Sequence, residues 1–460
     1  MIKDFFSFKN LTGDYAVLEN DIRLGTPTAA FGLFDSHKYL LATLPEQKVI
    51  YVTADAIAAQ NAYNSISVLS GKKCALLTAK DEVILYKDAL SKDALYRRIS
   101  AIYSMLNGAE VVVADVEAIM QLFPAKIEAI HFKTGEDYDY SALLQKLVKM
   151  GYTREYAADT RGCFAVRGDI LEVFPINSEN PVRIDFFGDT VEKIRPFDSV
   201  SGERLEEISS VSVVSATDAV ILPEEKTKII NELAAQVKKS PDAKAYERAK
   251  KIADDIAEKL SQSTTFSGAS FLMPLLDCTR NMFDLTGDDA LFIFDECKSI
   301  NDRMDGVYKE HTERVSDLKK GGEAFAFSQR QLISPEVLIE GFKKYRCLAL
   351  QTFTSSTAFF RPLKTYDFHA TPAPSYLNAL PQLVTDIKGW LANGYRVLAF
   401  TGNLQRYEKL SSILSDEYLP VYPVPDRLQA LHGVSVSSEE LAHGLILHDN
   451  KLVIIGSSDI

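Results

Sequence analysis

The feature that most constrains the fold is a β-rich stretch at residues 163–198. Residues 164–174 are rich in β-branched and aromatic side chains, which predicts strand structure that ends where Pro175 begins a polar loop. Apolar and polar side chains then alternate over residues 182–187, as expected of a strand with one face in a core. Gly188-Asp189 is a two-residue hairpin signal, and residues 190–197 supply the returning strand. The stretch predicts a small antiparallel sheet.

Phe187 is the most informative residue of this sheet. Alternation places Val182, Ile184 and Phe186 on one face and Arg183, Asp185 and Phe187 on the other. A large aromatic ring on the polar face has no core to enter there. An aromatic ring beside arginine on an exposed sheet is typical of a protein-binding hot spot. The alternative is that Phe187 packs against a neighbouring loop.

Three motifs in this stretch, RGDILEVFP, PVRIDFFGD and IRPFD, carry a family resemblance. Together they resemble the signature shared by the UvrB family and the transcription-repair coupling factor (Mfd) family of nucleotide excision repair. In both families the segment docks UvrA. The resemblance therefore implies that Arg167, Arg183 and Phe187 contact UvrA. The acidic residues that flank them, which would pair with basic groups of UvrA, are Asp169, Asp185 and Asp189.

Composition and charge narrow the class of protein. The chain is 46% hydrophobic and carries 51 basic against 63 acidic residues, a net charge of −12. That balance argues against tight nonspecific DNA binding and disfavours a single-strand nucleic-acid binder that would use the aromatic sheet face. Five scattered cysteines without CxxC spacing predict neither a disulfide framework nor a zinc site. No apolar run approaches a membrane span, and residues 1–10 lack a signal-peptide core, so we expect a cytoplasmic protein without membrane contact.

The remaining chain predicts an α/β architecture. Strand and helix patterns alternate over residues 1–130, and the strands are almost continuously apolar, which favours a parallel sheet covered on both faces. The family resemblance implies that residues 1–130 and 216–345 form one discontinuous, degenerate RecA-like parallel α/β domain. The antiparallel-sheet α+β domain, residues 131–215, would be inserted into it. Residues 346–460 are expected to form a small α/β domain of unknown role.

The expected phosphate-binding loop of such a domain is missing from the sequence. A nucleotide-binding loop needs clustered glycines, a lysine and a hydroxyl at fixed spacing. In RLGTPTAAFGLFDSHKYLLA, Gly25 and Gly32 stand seven apart, neither is followed by Lys-Ser or Lys-Thr, and Lys38 lies beyond them. Asp295-Glu296 ends an apolar strand as an acidic helicase motif does, and we interpret it as a structural relic. We therefore expect no catalytic residues, cofactor or metal in this chain.

These departures favour the N-terminal region of the coupling-factor family over UvrB. Residues 72–124 also contain no insertion rich in tyrosine and glycine that resembles the DNA-clamping hairpin of UvrB. The chain ends on an apolar strand, from which we expect a piece of a longer protein. The family resemblance implies a non-catalytic adaptor that recruits UvrA where RNA polymerase has stalled.

The resemblance also assigns roles to parts of the family outside this chain. ATP and Mg²⁺ belong to a C-terminal motor that translocates on double-stranded DNA and displaces the polymerase. The C-terminal domain is expected to mask the UvrA-binding surface by an intramolecular contact. The alternative is a UvrB-type, ATP-dependent damage-verification helicase subunit with an unrecognised phosphate loop. ATP affinity that depends on Lys38 would distinguish the two.

Overall fold

The largest element of the computed structural model is a seven-stranded, fully parallel sheet. The structure describes residues 13–80, 84–86, 92–368, 370–377, 379–423 and 433–460; the segment considered for a signal peptide lies outside them. The spatial order of the strands is β16-β1-β15-β14-β2-β4-β3. Their bounds are β1 (Thr28–Phe31), β2 (Val49–Thr53), β3 (Cys74–Leu77), β4 (Val111–Asp115), β14 (Leu291–Asp295), β15 (Arg346–Leu350) and β16 (Lys364–Asp367).

Helices cover both faces of this parallel sheet, as the continuous apolar strands predict. On one face, alternate side chains of β2 and β14 pack with three helices between residues 14 and 70. On the other face, they pack with two helices between residues 92 and 120 and with two between residues 297 and 342. Asp55 caps the third helix by accepting from the amides of Ile57 and Ala58. The helices are α1 (Asp14–Arg23), α2 (Asp35–Thr43), α3 (Ala56–Ser70), α4 (Lys92–Leu106), α5 (Val116–Met120), α9 (Cys297–Lys320) and α10 (Pro335–Phe342).

A second, mainly antiparallel sheet is inserted between β4 and β14. It has the order β11-β10-β9-β8-β7, and a separate two-stranded ribbon of β6 and β12 joins it to the parallel sheet. Its core packs on helix α6 (Tyr140–Lys149) and on Tyr96 and Ile99 of α4. The strands are β6 (Ala129–Lys133), β7 (Thr153–Arg154), β8 (Cys163–Arg167), β9 (Ile170–Val173), β10 (Val182–Phe187), β11 (Thr190–Pro196) and β12 (Ser210–Val214).

Two similar hairpins organise the inserted sheet. The predicted turn at Gly188-Asp189 is present, with Phe187 paired to Thr190. The expectation of continuous strand structure over residues 164–174 is wrong, because Gly168-Asp169 folds this segment into β8 and β9. Both turns place glycine first with φ near +60° (+62° and +63°), where a side chain would be strained.

A layer of helices follows the inserted sheet in sequence and precedes β14. Helices α7 (Pro223–Val237) and α8 (Ala243–Gln262) bury Ile229, Leu233 and Ile256 against two 3₁₀ turns. These 3₁₀ turns span Ala269–Leu275 and Ala326–Gln331. The charged stretch at residues 223–262 is therefore helical and breaks into two helices near Pro241. A two-stranded ribbon of β5 (Phe123–Pro124) and β13 (Thr279–Arg280) ties this layer back to the parallel sheet.

The last part of the chain forms a six-stranded mixed sheet of order β17-β21-β22-β18-β20-β19. Helices α11 (Leu380–Ala392) and α12 (Leu404–Asp416) cover one face of it. The other face, which includes Leu398 and Phe400, shares a single core with α2, α3 and the parallel sheet. The strands are β17 (Thr371–Pro372), β18 (Arg396–Phe400), β19 (Val421–Pro423), β20 (Val434–Ser437), β21 (Leu445–Leu447) and β22 (Leu452–Ile455).

This arrangement corrects the predicted position of two strands. We expected residues 346–367 to belong to the last domain, and this is wrong. Strand β15 pairs with β14 and β1, and β16 pairs with β1, so both complete the parallel sheet. Strand β15 is apolar on both faces, and its place between β1 and β14 in the parallel sheet covers both of them.

Among the described residues, no helix is both long and apolar enough to cross a bilayer.

Because the last sheet and α2 share one core, we predict that they unfold together. Changing Phe400, which is fully buried in that core, to alanine should destabilise the protein by about 3–5 kcal/mol. The single tryptophan of the chain, Trp390, lies in α11 and reports on the last sheet. In urea unfolding of this variant, the transition midpoint followed by Trp390 fluorescence and the midpoint followed by far-UV circular dichroism should shift by the same amount.

The matched control is Tyr418→Ala, since Tyr418 is exposed and outside every core cluster described; it should change stability by less than about 0.5 kcal/mol. If Phe400→Ala shifted the unfolding transition followed by fluorescence but not the one followed by circular dichroism, that result would contradict the shared core.

Candidate partner-binding face

The outward face of the inserted sheet carries most of its polar side chains. Phe164 and Leu171 turn inward, whereas the alternate residues of the same strands turn outward. We call the outward set the arginine face: Arg167, Glu172, Arg183, Asp185, Phe187 and Arg195. It lies on paired strands, with Arg183 opposite both Glu172 and Arg195, so the backbone ladder fixes the positions of these residues.

Phe187 stands clear of the protein surface on this face. Its side chain is 81% exposed, so the alternative that it packs against a neighbouring loop is wrong. The hairpin beneath it is held firmly: the amide of Tyr138 donates to the carbonyl of Asp189 at 2.8 Å. Thr190 in turn donates to Asp137. An apolar ring on a rigid strand costs little conformational entropy to bury, which suits it to anchor a partner.

The side chain of Arg183 is held by neighbouring carboxylates that the sequence did not predict as its partners. Its guanidinium is half-buried and lies 3.5 Å from Glu172 and 3.8 Å from Asp185. Arg195 contacts the same Asp185. Two arginines opposite each other on neighbouring strands repel, and the shared carboxylates offset that repulsion. The Nε atoms of Arg183 and Arg195 nevertheless find no hydrogen-bond acceptor in the described part of the chain.

Tyr156 extends the site and was missed by sequence reasoning. Its ring is 90% exposed, and the guanidinium carbon of Arg167 lies 5.5 Å from the ring centroid in cation–π geometry. Arg167 also reaches the carbonyl of Tyr156 at 3.4 Å. The surrounding segment, EYAADT, has no periodicity that could place the ring in advance.

A shallow cleft of about 280 Å³ opens beside these residues. Four arginines line it, including Arg204, whose exposed side chain comes from the loop after β11. Two carboxylates, Glu172 and Asp159, also face it. The cleft brings together more cationic donors than carboxylates, which suits an acidic side chain of a partner. The residues that bring the positive charge are Arg167, Arg183, Arg195 and Arg204.

The three predicted acidic residues occupy different environments. Asp169 and Asp189 are exposed at the tips of the two hairpins and face solvent. Asp185 is half-buried and is committed to Arg183 and Arg195. The structure therefore makes Asp169 and Asp189 accessible to a basic partner group, while Asp185 orients the arginines.

A second group of charged residues lies beside the short connection from β1 to α2, the segment considered for a phosphate loop. Strand β1 passes to α2 through only three residues, of which Gly32 has a φ of +72° and abuts the carbonyl of Phe368. Lys38 of α2 is 2% exposed. Its ammonium donates to Asp295 at 2.9 Å and to Glu296 at 2.6 Å. Lys38 therefore ties α2 to the end of β14.

The carboxylates of this network have further donors. Tyr51 donates to Asp295 at 2.9 Å, and both the amide and the hydroxyl of Thr352 donate to Glu296 at 2.7 Å. Burial raises the pKa of Asp295. For Glu296 burial acts the same way, but the hydrogen bonds from Lys38 and Thr352 outweigh it and lower the pKa. Burial also opposes the charge on Lys38, yet the two carboxylates raise its pKa overall.

We predict that this network is structural and that breaking it is costly. Lys38→Met should destabilise the protein by about 3–5 kcal/mol, because two carboxylates are left partly buried without their cation. The measurement is the free energy of unfolding in urea. The matched control is the triple variant Lys38→Met/Asp295→Asn/Glu296→Gln, which removes all three charges and should recover most of the loss. A Lys38→Met protein as stable as the wild type would contradict this role.

Comparison with known proteins agrees with the position of the arginine face. Residues 130–218 match the family model described as the UvrB interaction domain. This range contains the inserted sheet and all six residues predicted as contacts.

Similarity to curated proteins extends beyond that domain. The whole chain is 26% identical over 472 aligned residues to the transcription-repair-coupling factor of Bacillus subtilis (strain 168), of which it covers 40%. It is 24% identical over 340 residues to the coupling factor of Staphylococcus aureus (strain MRSA252), an alignment that takes in 71% of this chain and 28% of the relative. The chain therefore spans well under half the length of these relatives. The expected resemblance to transcription-repair coupling factors is confirmed, since one of these relatives aligns with the whole chain and residues 130–218 match the UvrB interaction domain.

Proposed function

We propose that this chain is a non-catalytic adaptor region of a transcription-repair coupling factor and that its arginine face recruits UvrA. The supporting observation is a coincidence of position. The UvrB interaction domain match falls on the inserted sheet, and that sheet presents an almost fully exposed Phe187 among arginines. A surface of this kind on a rigid sheet has the aromatic and arginine composition of an interface hot spot.

Each residue of the face has a distinct proposed role in UvrA binding. Phe187 supplies the apolar anchor. Arg167, stacked on Tyr156, offers a planar guanidinium whose remaining donors can meet a carboxylate in a bidentate pair. Arg183, held by Glu172, would present its partly exposed guanidinium to an acidic group of UvrA. Asp169 and Asp189 would meet basic groups at the rim of the interface, where ion pairs contribute less.

The larger reaction sequence is also part of this proposal. In a full-length coupling factor, ATP and Mg²⁺ would drive a motor outside this chain. That motor would displace a stalled RNA polymerase along double-stranded DNA, and the adaptor would deliver UvrA to the exposed lesion. A C-terminal domain that covers the arginine face would keep it masked until the polymerase is engaged.

Binding to purified UvrA tests the proposal. Phe187→Ala, Arg167→Ala and Arg183→Ala should each weaken the affinity measured by isothermal titration by about 2 kcal/mol, because each removes an anchor from one interface. The matched control is Ile57→Ala, which truncates an equally exposed apolar side chain on α3, outside the UvrB interaction domain. It should bind like the wild type.

Failure of the folded wild-type chain to bind UvrA would overturn the proposed function. A loss below about 0.5 kcal/mol for Arg183→Ala alone would instead remove Arg183 from the interface and leave it as a structural partner of Glu172.

Nucleotide binding separates this proposal from the UvrB-type enzyme. We expect no ATP affinity tighter than about 1 mM in the presence of Mg²⁺, because the ammonium of Lys38 is already engaged by Asp295 and Glu296. Isothermal titration with ATP provides the measurement, and the triple variant described above provides a folded comparison. Tight binding to the wild type that disappears in the triple variant would favour the ATP-dependent enzyme.

A further inference from the structure

A cavity of about 430 Å³ lies where three parts of the chain meet. Helix α4 of the parallel-sheet unit forms one wall, the segment after α6 forms a second, and the 3₁₀ turn after α8 forms the third. None of its lining residues belongs to the arginine face or to the Lys38 network. Its volume falls in the range of small-molecule sites, which commonly occur at such junctions.

The floor of this cavity is apolar and buried. Ala94 and Tyr96 of α4, Tyr152, Ala216 and Phe271 line it, and each is at most 7% exposed. Lys80, which also lines the cavity, donates to Asp218 at 2.7 Å, so these two charges neutralise each other. The floor therefore offers apolar surface to a ligand and no unbalanced charge.

The mouth of the cavity is polar and positively charged. Lys92, Thr153, Arg154 and Ser267 line it and are exposed. No carboxylate is among the described residues that line the cavity. An apolar floor below a cationic mouth is complementary to a molecule with an apolar body and one anionic group.

We propose that this cavity is a binding site for a small amphipathic anion, an aromatic or aliphatic carboxylate or sulfonate. The apolar body packs between Tyr96, Tyr152 and Phe271, and the anionic group stays at the mouth near Arg154 and Lys92. Bound there, the ligand contacts all three walls at once. It therefore holds the inserted sheet against the parallel-sheet unit and the helical layer.

Naphthalene-2-sulfonate is the probe for this site, with neutral 2-naphthalenemethanol and cationic 2-naphthylmethylamine as matched compounds. Isothermal titration on the full chain should show one site for the sulfonate, with the neutral and cationic compounds binding at least about tenfold more weakly. Hydrogen exchange of backbone amides should slow at residues 148–154, 216–217 and 263–271, which form the walls.

Two variants test the location of the site. Ala94→Phe fills the floor and should abolish sulfonate binding, whereas Arg154→Glu reverses the charge at the mouth and should weaken it about tenfold or more. If Ala94→Phe does not fold by circular dichroism, Thr265→Trp, which fills the cavity from the third wall, replaces it. The control is Tyr418→Ala, an exposed aromatic elsewhere, which should leave binding unchanged.

The proposal is overturned if the sulfonate does not bind, if all three compounds bind alike, or if the filled variant binds as the wild type does. Since UvrA binding uses other residues, Ala94→Phe should retain it, and the two proposals can fail separately.

Discussion

Helix α2 lies between two sheets, and much of the remaining architecture depends on that position. Residues Ser36 to Thr43 are all buried, so every side chain of the helix must find a partner inside the protein. Lys38 can be buried only because Asp295 and Glu296 end the neighbouring β14 and neutralise it. The last sheet in turn is needed to cover the apolar side of α2 that the parallel sheet leaves open. One ion-pair network and one shared core thus join segments far apart in sequence.

The inserted sheet has the opposite character. It attaches through one ribbon and through α4, and it leaves one face in solvent. Because its hairpins are short and its turns are closed by glycines, an exposed ring on β10 keeps a fixed position without burial. Ion pairs among Glu172, Arg183 and Asp185 keep the neighbouring guanidiniums in place in the same way. The inserted sheet packs its inner side chains into a core of its own, which leaves the arginine face available for recognition.

Local patterns predicted the strands and the exposed ring but not the long-range pairing. Alternation over β10 identified the face of Phe187, because period-two patterning depends only on neighbouring residues. It could not show that Arg183 is shared with Glu172, since that contact depends on the register between β9 and β10. The position of β15 was missed for a similar reason: an apolar strand looks alike in either sheet, and only tertiary packing decides. Tyr156 lies in an irregular segment, where no period exists to interpret, and the cavity lined by Tyr96, Tyr152 and Phe271 arises only where tertiary packing brings three parts of the chain together.

The engagement of Lys38 and the exposure of the inserted sheet fit one physical scheme. A nucleotide site needs an open crevice at the carboxyl ends of the strands and a lysine free to meet phosphate. In this chain Lys38 is already paired with Asp295 and Glu296, and the last sheet encloses the helix that carries it. An enclosed helix cannot rearrange without exposing its apolar residues, so the parallel-sheet unit gives rigid support to the surfaces attached to it. Rigid support lowers the entropy lost on binding, which is the property a docking face on the inserted sheet requires.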